Sequence, residues 1–131
     1  MKKILIVDED ADVLRLLRIK LTGAGYETSL ARDGKEALIL AEKEQPDIVI
    51  TEQLLPDMKG SDLLSRLKKT VSPSPLAMVL SGAGTDEDIS TALSSGAADF
   101  MTKPFSPQAL IERIRVNQIR VNLTAAHGKE G

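Results

Sequence analysis

PDIVITEQLLPDMKG, Pro46 to Gly60, is the stretch on which the fold turns. Ile48, Val49, Ile50 and Thr51 form a short β-branched run with no polar alternation, which predicts a strand buried on both faces. Glu52 follows where that strand should end, and Pro56 to Gly60 supplies turn residues after it. In an open α/β sheet, ligands gather at the carboxyl ends of strands. A second apolar run, KILIV, precedes Asp8 and Glu9. Two strand ends therefore deliver three carboxylates toward one crevice, where they repel one another and call for a cation. The plainer alternative is a set of helix-entry acids facing solvent.

The same period extends along the chain. Lys2 to Val7 is predicted as the first strand, and Asp10 caps a helix with Leu14, Leu17 and Leu21 on one face. Gly23 and Gly25 stop it. Tyr26 to Leu30 is the second strand; Asp33, with Glu36 three residues on, opens a helix carrying Ala37, Leu38 and Ala41 inward. After the third strand, Leu63, Leu64 and Leu67 mark a third helix, closed by Pro73 and Pro75. Leu76 to Leu80 is the fourth strand. Asp86, Glu87 and Asp88 lie in the first turn of the fourth helix, where its dipole favours negative charge. Ala98 to Met101 is the fifth strand, and Ser106 with Pro107 opens the last helix. Five βα units predict a parallel sheet covered by helices on both faces.

Composition narrows the function. With 131 residues, 42% of them hydrophobic, the chain is one domain able to bury its own core. The absence of cysteine removes disulfides and thiolate metal sites and is compatible with a cytoplasmic setting. No apolar run is long enough to span a membrane, and no leader-like segment precedes the first strand. A formal charge of -2 and an aromatic content of 2% argue against nucleic-acid binding by this segment. The domain is read as residues 1–123, with 124–131, small and polar, as a disordered tail or an expression remnant.

KILIVDED, EQLLPDMKG, VLSGAG and DFMTKPF, in that order, resemble the receiver domain of two-component response regulators, and the likeness spans residues 3 to about 121. The resemblance implies a flavodoxin-like (βα)5 doubly wound parallel sheet with strand order 2-1-3-4-5. It also implies roles. Asp8, Glu9 and Glu52 match the carboxylates that bind Mg²⁺; Glu52 stands at the phosphoacceptor position, where the family has aspartate. Ser81 matches the hydroxyl residue that contacts a phosphoryl oxygen, with Gly82 keeping the approach open, and Lys103 matches the lysine that pairs with the phosphoryl group. The Lys103–Pro104 bond is expected to be cis, and Phe100 takes the place of an aromatic rotamer switch, together with Ser81. Taken singly, each has a plain alternative: turn chemistry for Ser81, a surface lysine for Lys103, core packing for Phe100.

Glutamate at two of the three acid positions lengthens each arm by a C–C bond of ~1.5 Å, which weakens the expected Mg²⁺ site. Phosphoryl transfer also needs its nucleophile in line, and a misplacement of ~1 Å costs about 10²-fold. The expected function is thus a conformational switch in phosphorelay signalling that is phosphorylation-independent or mimics the phosphorylated state. The alternative is an unphosphorylated docking or dimerisation module of a larger regulator. The resemblance implies a sensor histidine kinase or phosphotransfer protein as partner, and no turnover of a separate substrate. A flavodoxin-like electron carrier is disfavoured because Asp8, Glu9 and Asp10 would repel a cofactor phosphate. The last helix shows two apolar faces, Leu110, Ile111, Ile114 and Val121 on one and Val116, Ile119 and Leu123 on the other. The second is expected to meet an effector domain, a linker helix or a second copy.

Overall fold

A computed structural model describes residues 2–82 and 85–130, the segment 125–130 by its backbone alone. Ala83 and Gly84, the end of VLSGAG, lie outside the described residues. The elements alternate as β1 (Lys3–Val7), α1 (Ala11–Gly23), β2 (Glu27–Ala31), α2 (Gly34–Glu44), β3 (Ile48–Glu52), α3 (Gly60–Thr70), β4 (Leu76–Ser81), α4 (Asp86–Ser94), β5 (Asp99–Thr102) and α5 (Pro107–Glu130). The five strands are parallel in the order β2-β1-β3-β4-β5, as expected.

Strand periodicity divides the core into two layers. Leu5, Val7, Val49, Ala77 and Val79 face α2, α3 and α4, packing with Ala37, Ala41, Leu63, Leu64, Leu67 and Ala92. Ile4, Ile6, Ile48, Ile50, Met78 and Leu80 point the other way, onto Leu14, Leu17 and Leu21 of α1 and Leu110 and Ile114 of α5. Both faces of β1, β3 and β4 are therefore buried, which is why these runs lack polar alternation. Asp10 accepts from the Asp12 N–H, and Asp33 from the Glu36 N–H, so both predicted caps form.

Boundaries move by a residue or so. β2 starts at Glu27 rather than Tyr26, because Ala31 pairs with Val7 and its carbonyl accepts the Asp8 N–H at 3.1 Å. Tyr26 instead donates its hydroxyl to Gln118 of α5. β4 gains Ser81, and β5 covers Asp99–Thr102 rather than Ala98–Met101, since Ser81 pairs with Thr102.

The expected inner face of α5 needs a correction: Leu110 and Ile114 are buried, but Val121 is 51% exposed. At ~1.5 Å per residue, the 24 residues of α5 reach roughly 36 Å, whereas strands of 4 to 6 residues reach about 13–20 Å, so the helix outruns its sheet. The helical backbone also continues through 124–130, where composition suggests a disordered tail.

Candidate functional site

The order β2-β1-β3 places the reversal of the winding between β1 and β3, where a crevice opens beyond the strand ends. Asp8 is the residue after β1, and Glu52 is the last of β3. Asp8 is buried and both its oxygens are engaged. Oδ1 accepts the Asp10 N–H at 2.9 Å, and Oδ2 accepts from Lys103 Nζ at 2.6 Å. Lys103 reaches them from the loop after β5, where its N–H donates to the Ser81 carbonyl at 2.8 Å and its bond to Pro104 is cis.

The same ammonium is 3.8 Å from Glu52 Oε2, which is near enough for Coulomb attraction and too far for a hydrogen bond. Oε2 is buried and receives no hydrogen bond. Burial accordingly raises the Glu52 pKa above its ordinary 4.5, and the nearby Asp8 charge adds to this; Lys103 and the backbone N–H groups of Gln53 and Gly82 pull against it.

Of the three expected metal-binding acids, two meet. Glu9 is exposed, and its carbonyl accepts from Arg32, whose Nε and Nη2 donate at 3.3 and 3.0 Å. Among the described residues, no three His, Cys, Asp or Glu side chains form a group that could hold a metal ion. The donor set therefore does not fit the Mg²⁺ that the resemblance implies: an ammonium lies against the two acids, and the third, exposed, does not join them.

Ser81 ends β4, fully buried, one residue beyond Leu80, the ladder partner of Glu52. A Cβ on Gly82, the next residue, would meet nothing within 4 Å. Phe100 is half-buried on β5 and packs against the layer of α2, α3 and α4.

Several supports of this crevice have no local sequence signal. Gln53, buried after Glu52, accepts the Ser61 N–H at 3.0 Å and donates to its hydroxyl at 3.3 Å, while the Gly60 N–H donates to the Gln53 carbonyl at 2.7 Å. These bonds fasten the β3–α3 loop to the end of the strand. From the same loop, Asp57 accepts the Gly34 and Lys35 N–H groups at 2.8 and 3.0 Å, which holds its carboxyl below the usual range. Thr85, unforeseen, caps α4 by accepting the Asp88 N–H.

A profile of the response regulator receiver domain matches residues 4–115. The probable transcriptional regulator ycf27 of Porphyra purpurea is 41% identical over 114 residues, covering 87% of this chain and 46% of its own length. The alkaline phosphatase synthesis transcriptional regulatory protein PhoP of Bacillus subtilis is 36% identical over 124 residues, covering 95% and 51%. The chain thus spans about half the length of these curated relatives. A CheY-like receiver domain protein from Methanospirillum hungatei JF-1 superposes with a TM-score of 0.83 at 30% identity, covering 100% of this chain and 99% of that one. With that profile, those relatives and that fold, the chain belongs to the receiver domains of two-component response regulators.

Proposed function

We propose that this receiver signals without being phosphorylated, with Glu52 acting as a standing acid at the acceptor position. The observation that carries the reading is the Glu52 carboxylate itself, buried and facing Lys103 at 3.8 Å. Aspartate would stop one bond short; glutamate extends its oxygens into space that an attached phosphoryl group needs. It imitates that group incompletely, with ~1 negative charge against ~1.5–2. Moving a two-state switch from 1:99 to 99:1 takes ~5.5 kcal/mol, and one charge-assisted contact contributes about 1.5–3, so Glu52 biases the switch without locking it. Ser81 and Phe100 are the residues through which we propose the bias is read.

Receiver domains interact with histidine kinases and are signalling domains. For this chain we propose docking of a kinase or phosphotransfer protein without efficient transfer, in a cytoplasmic setting. Among the described residues, no helix is long and apolar enough to cross a membrane. The two curated relatives are named as transcriptional regulators; we propose that output here passes to an effector, and that the receiver, at a formal charge of -2, does not itself contact nucleic acid.

The test is exposure to acetyl phosphate with Mg²⁺, followed by intact-mass spectrometry. No phosphoryl adduct is expected, and rapid modification of Glu52 would overturn the reading. A second reading, a docking or dimerisation module, draws on the outer side of α5, where Val116, Ile119 and Leu123 are exposed.

A further inference from the structure

Receiver domains generally bind Mg²⁺ at the phosphorylation site. We propose that in this chain the Lys103 ammonium takes the place of that cation, neutralising Asp8 and Glu52 and keeping Mg²⁺ out of the crevice. The inference deepens the reading of Glu52 given above and can fail separately from it.

Three observations carry it. First, the oxygens a cation would need are already engaged: Asp8 Oδ1 by the Asp10 N–H at 2.9 Å and Oδ2 by Lys103 at 2.6 Å. An ion bound to Oδ2 would have to evict the ammonium or sit beside it as a like charge. Second, Lys103 is held in place. Its N–H bonds the Ser81 carbonyl, Pro104 follows, and only 22% of its side chain is exposed. Third, the remaining acid, Glu9, joins no group of acids that could hold a metal among the described residues. Glu9 is exposed, and the Arg32 guanidinium on its carbonyl places a second positive charge there.

The acceptor left over is Glu52 Oε2, buried without a hydrogen bond. Mg²⁺ wants several oxygens in near-octahedral array at about 2.0–2.1 Å, and one oxygen 3.8 Å from an ammonium makes a poor start. The charges, by contrast, nearly balance. Two carboxylates against one ammonium leave a single net negative charge, which gives a divalent ion little to neutralise.

The experiment is a Mg²⁺ titration of the whole chain at constant ionic strength, read from the amide NMR shifts of Asp8, Asp10, Gln53 and Gly82, with Mn²⁺ broadening as a second probe. The wild type is expected to show no saturable shift. Lys103→Met removes the charge and keeps most of the bulk; it should bind Mg²⁺ at least about tenfold more tightly, the effect of deleting one positive charge within ~4 Å of the ion. Lys103→Arg, which keeps the charge, should behave as the wild type. Saturable Mg²⁺ binding to the wild type, or unchanged affinity in Lys103→Met, would overturn the proposal. Should Lys103→Met lose its fold, recovery with Mg²⁺ but not with matched NaCl supports it, and no recovery with Mg²⁺ counts against it. Phosphate uptake by the wild type would instead sink the reading of Glu52 and leave this measurement standing.

Discussion

Lys103 lies 2.6 Å from Asp8 but 3.8 Å from Glu52, so one ammonium serves two carboxylates unequally. The two partners should differ in what their loss does. Lys103→Met leaves two acids close together in a largely buried crevice, and should cost about 2–4 kcal/mol, somewhat less than the ~3–5 kcal/mol usual for breaking a buried pair because the lysine keeps some exposure. Asp8→Asn leaves Lys103 able to turn to Glu52 and should cost about 1–2 kcal/mol. Urea denaturation of both variants and of the double variant gives the coupling, and equal losses would mean that Glu52 contributes nothing to the network.

Glu52 is a carboxyl whose folded pKa is raised, chiefly by burial. The sign follows: the folded state binds this proton more readily than the unfolded chain, so the group's contribution is favourable below the unfolded value near 4.5 and is lost as pH rises through the higher folded value. At neutral pH the ionised Glu52 is therefore a liability. Glu52→Gln should be more stable than the wild type at pH 7, by about 1 kcal/mol or roughly 3–5 °C, and the advantage should shrink as pH falls toward 4.5. Paired thermal melts across that range check it; a difference that does not vary with pH would remove the buried acid as its cause.

The β3–α3 loop supplies a steric contrast. A Cβ on Gly60 would come within 2.5 Å of the Glu52 carbonyl, which is backbone and cannot step aside. On Gly34 the obstruction is the flexible side chain of Met58. Gly60→Ala should cost about 2–3 kcal/mol and disturb the amides of Glu52 and Gln53, whereas Gly34→Ala should cost less because methionine can repack. Comparable losses, or unchanged Glu52 and Gln53 shifts in Gly60→Ala, would show that the loop yields more easily than this packing implies.

The fold was legible because burial on both faces writes itself into β1, β3 and β4 as uninterrupted apolar runs, and because Asp10, Asp33 and Ser106 cap helices by bonds within three residues. Lys103 was legible only through the order of motifs. Nothing local in TKPF says that the lysine will close on an aspartate 95 positions earlier. The exposure of Glu9, the Asp57 bonds to α2 and the Gln53–Ser61 clip were hidden for the same reason: each depends on where a loop lands across the sheet, and no period or cap residue records that. The missed exposure of Val121 is a length effect, since helical spacing assigns a face without saying where the sheet beneath it ends.

The outer side of α5 makes a different test. Ile119 is 57% exposed, with Val116 and Leu123 near it on the helix, so Ile119→Glu should leave the fold and melting temperature nearly unchanged. If the docking reading holds for a second copy, sedimentation at rising concentration should show self-association in the wild type and less of it in Ile119→Glu. A wild type that stays monomeric throughout would leave that face without a homodimer role.

The acceptor position itself separates a site that has lost one atom placement from a site that has lost its chemistry. Asp8, Ser81 and Lys103 converge on the crevice from three strand ends, and the Lys103 backbone is tied to Ser81. With Glu52 at the acceptor position, as proposed above, what departs from the expected nucleophile is a single methylene in the side chain. Shortening it withdraws the carboxylate by ~1.5 Å, away from the lysine and out of the volume a phosphoryl group needs. Glu52→Asp should therefore gain acid-labile phosphorylation from acetyl phosphate where none is expected for the wild type, and only at Mg²⁺ concentrations high enough to compete with Lys103 for Asp8. Lys103→Ala in that background should reduce the yield by about tenfold or more, because the positive group expected to meet the developing charge is gone. Intact-mass spectrometry after donor treatment, with and without a chelator, reads all three proteins. Were Glu52→Asp to remain unmodified while binding Mg²⁺, the defect would lie in the phosphoryl contacts expected of Ser81; were it to bind no Mg²⁺ either, the Lys103 ammonium on Asp8 and the exposure of Glu9 would be the features that a shorter acceptor cannot repair.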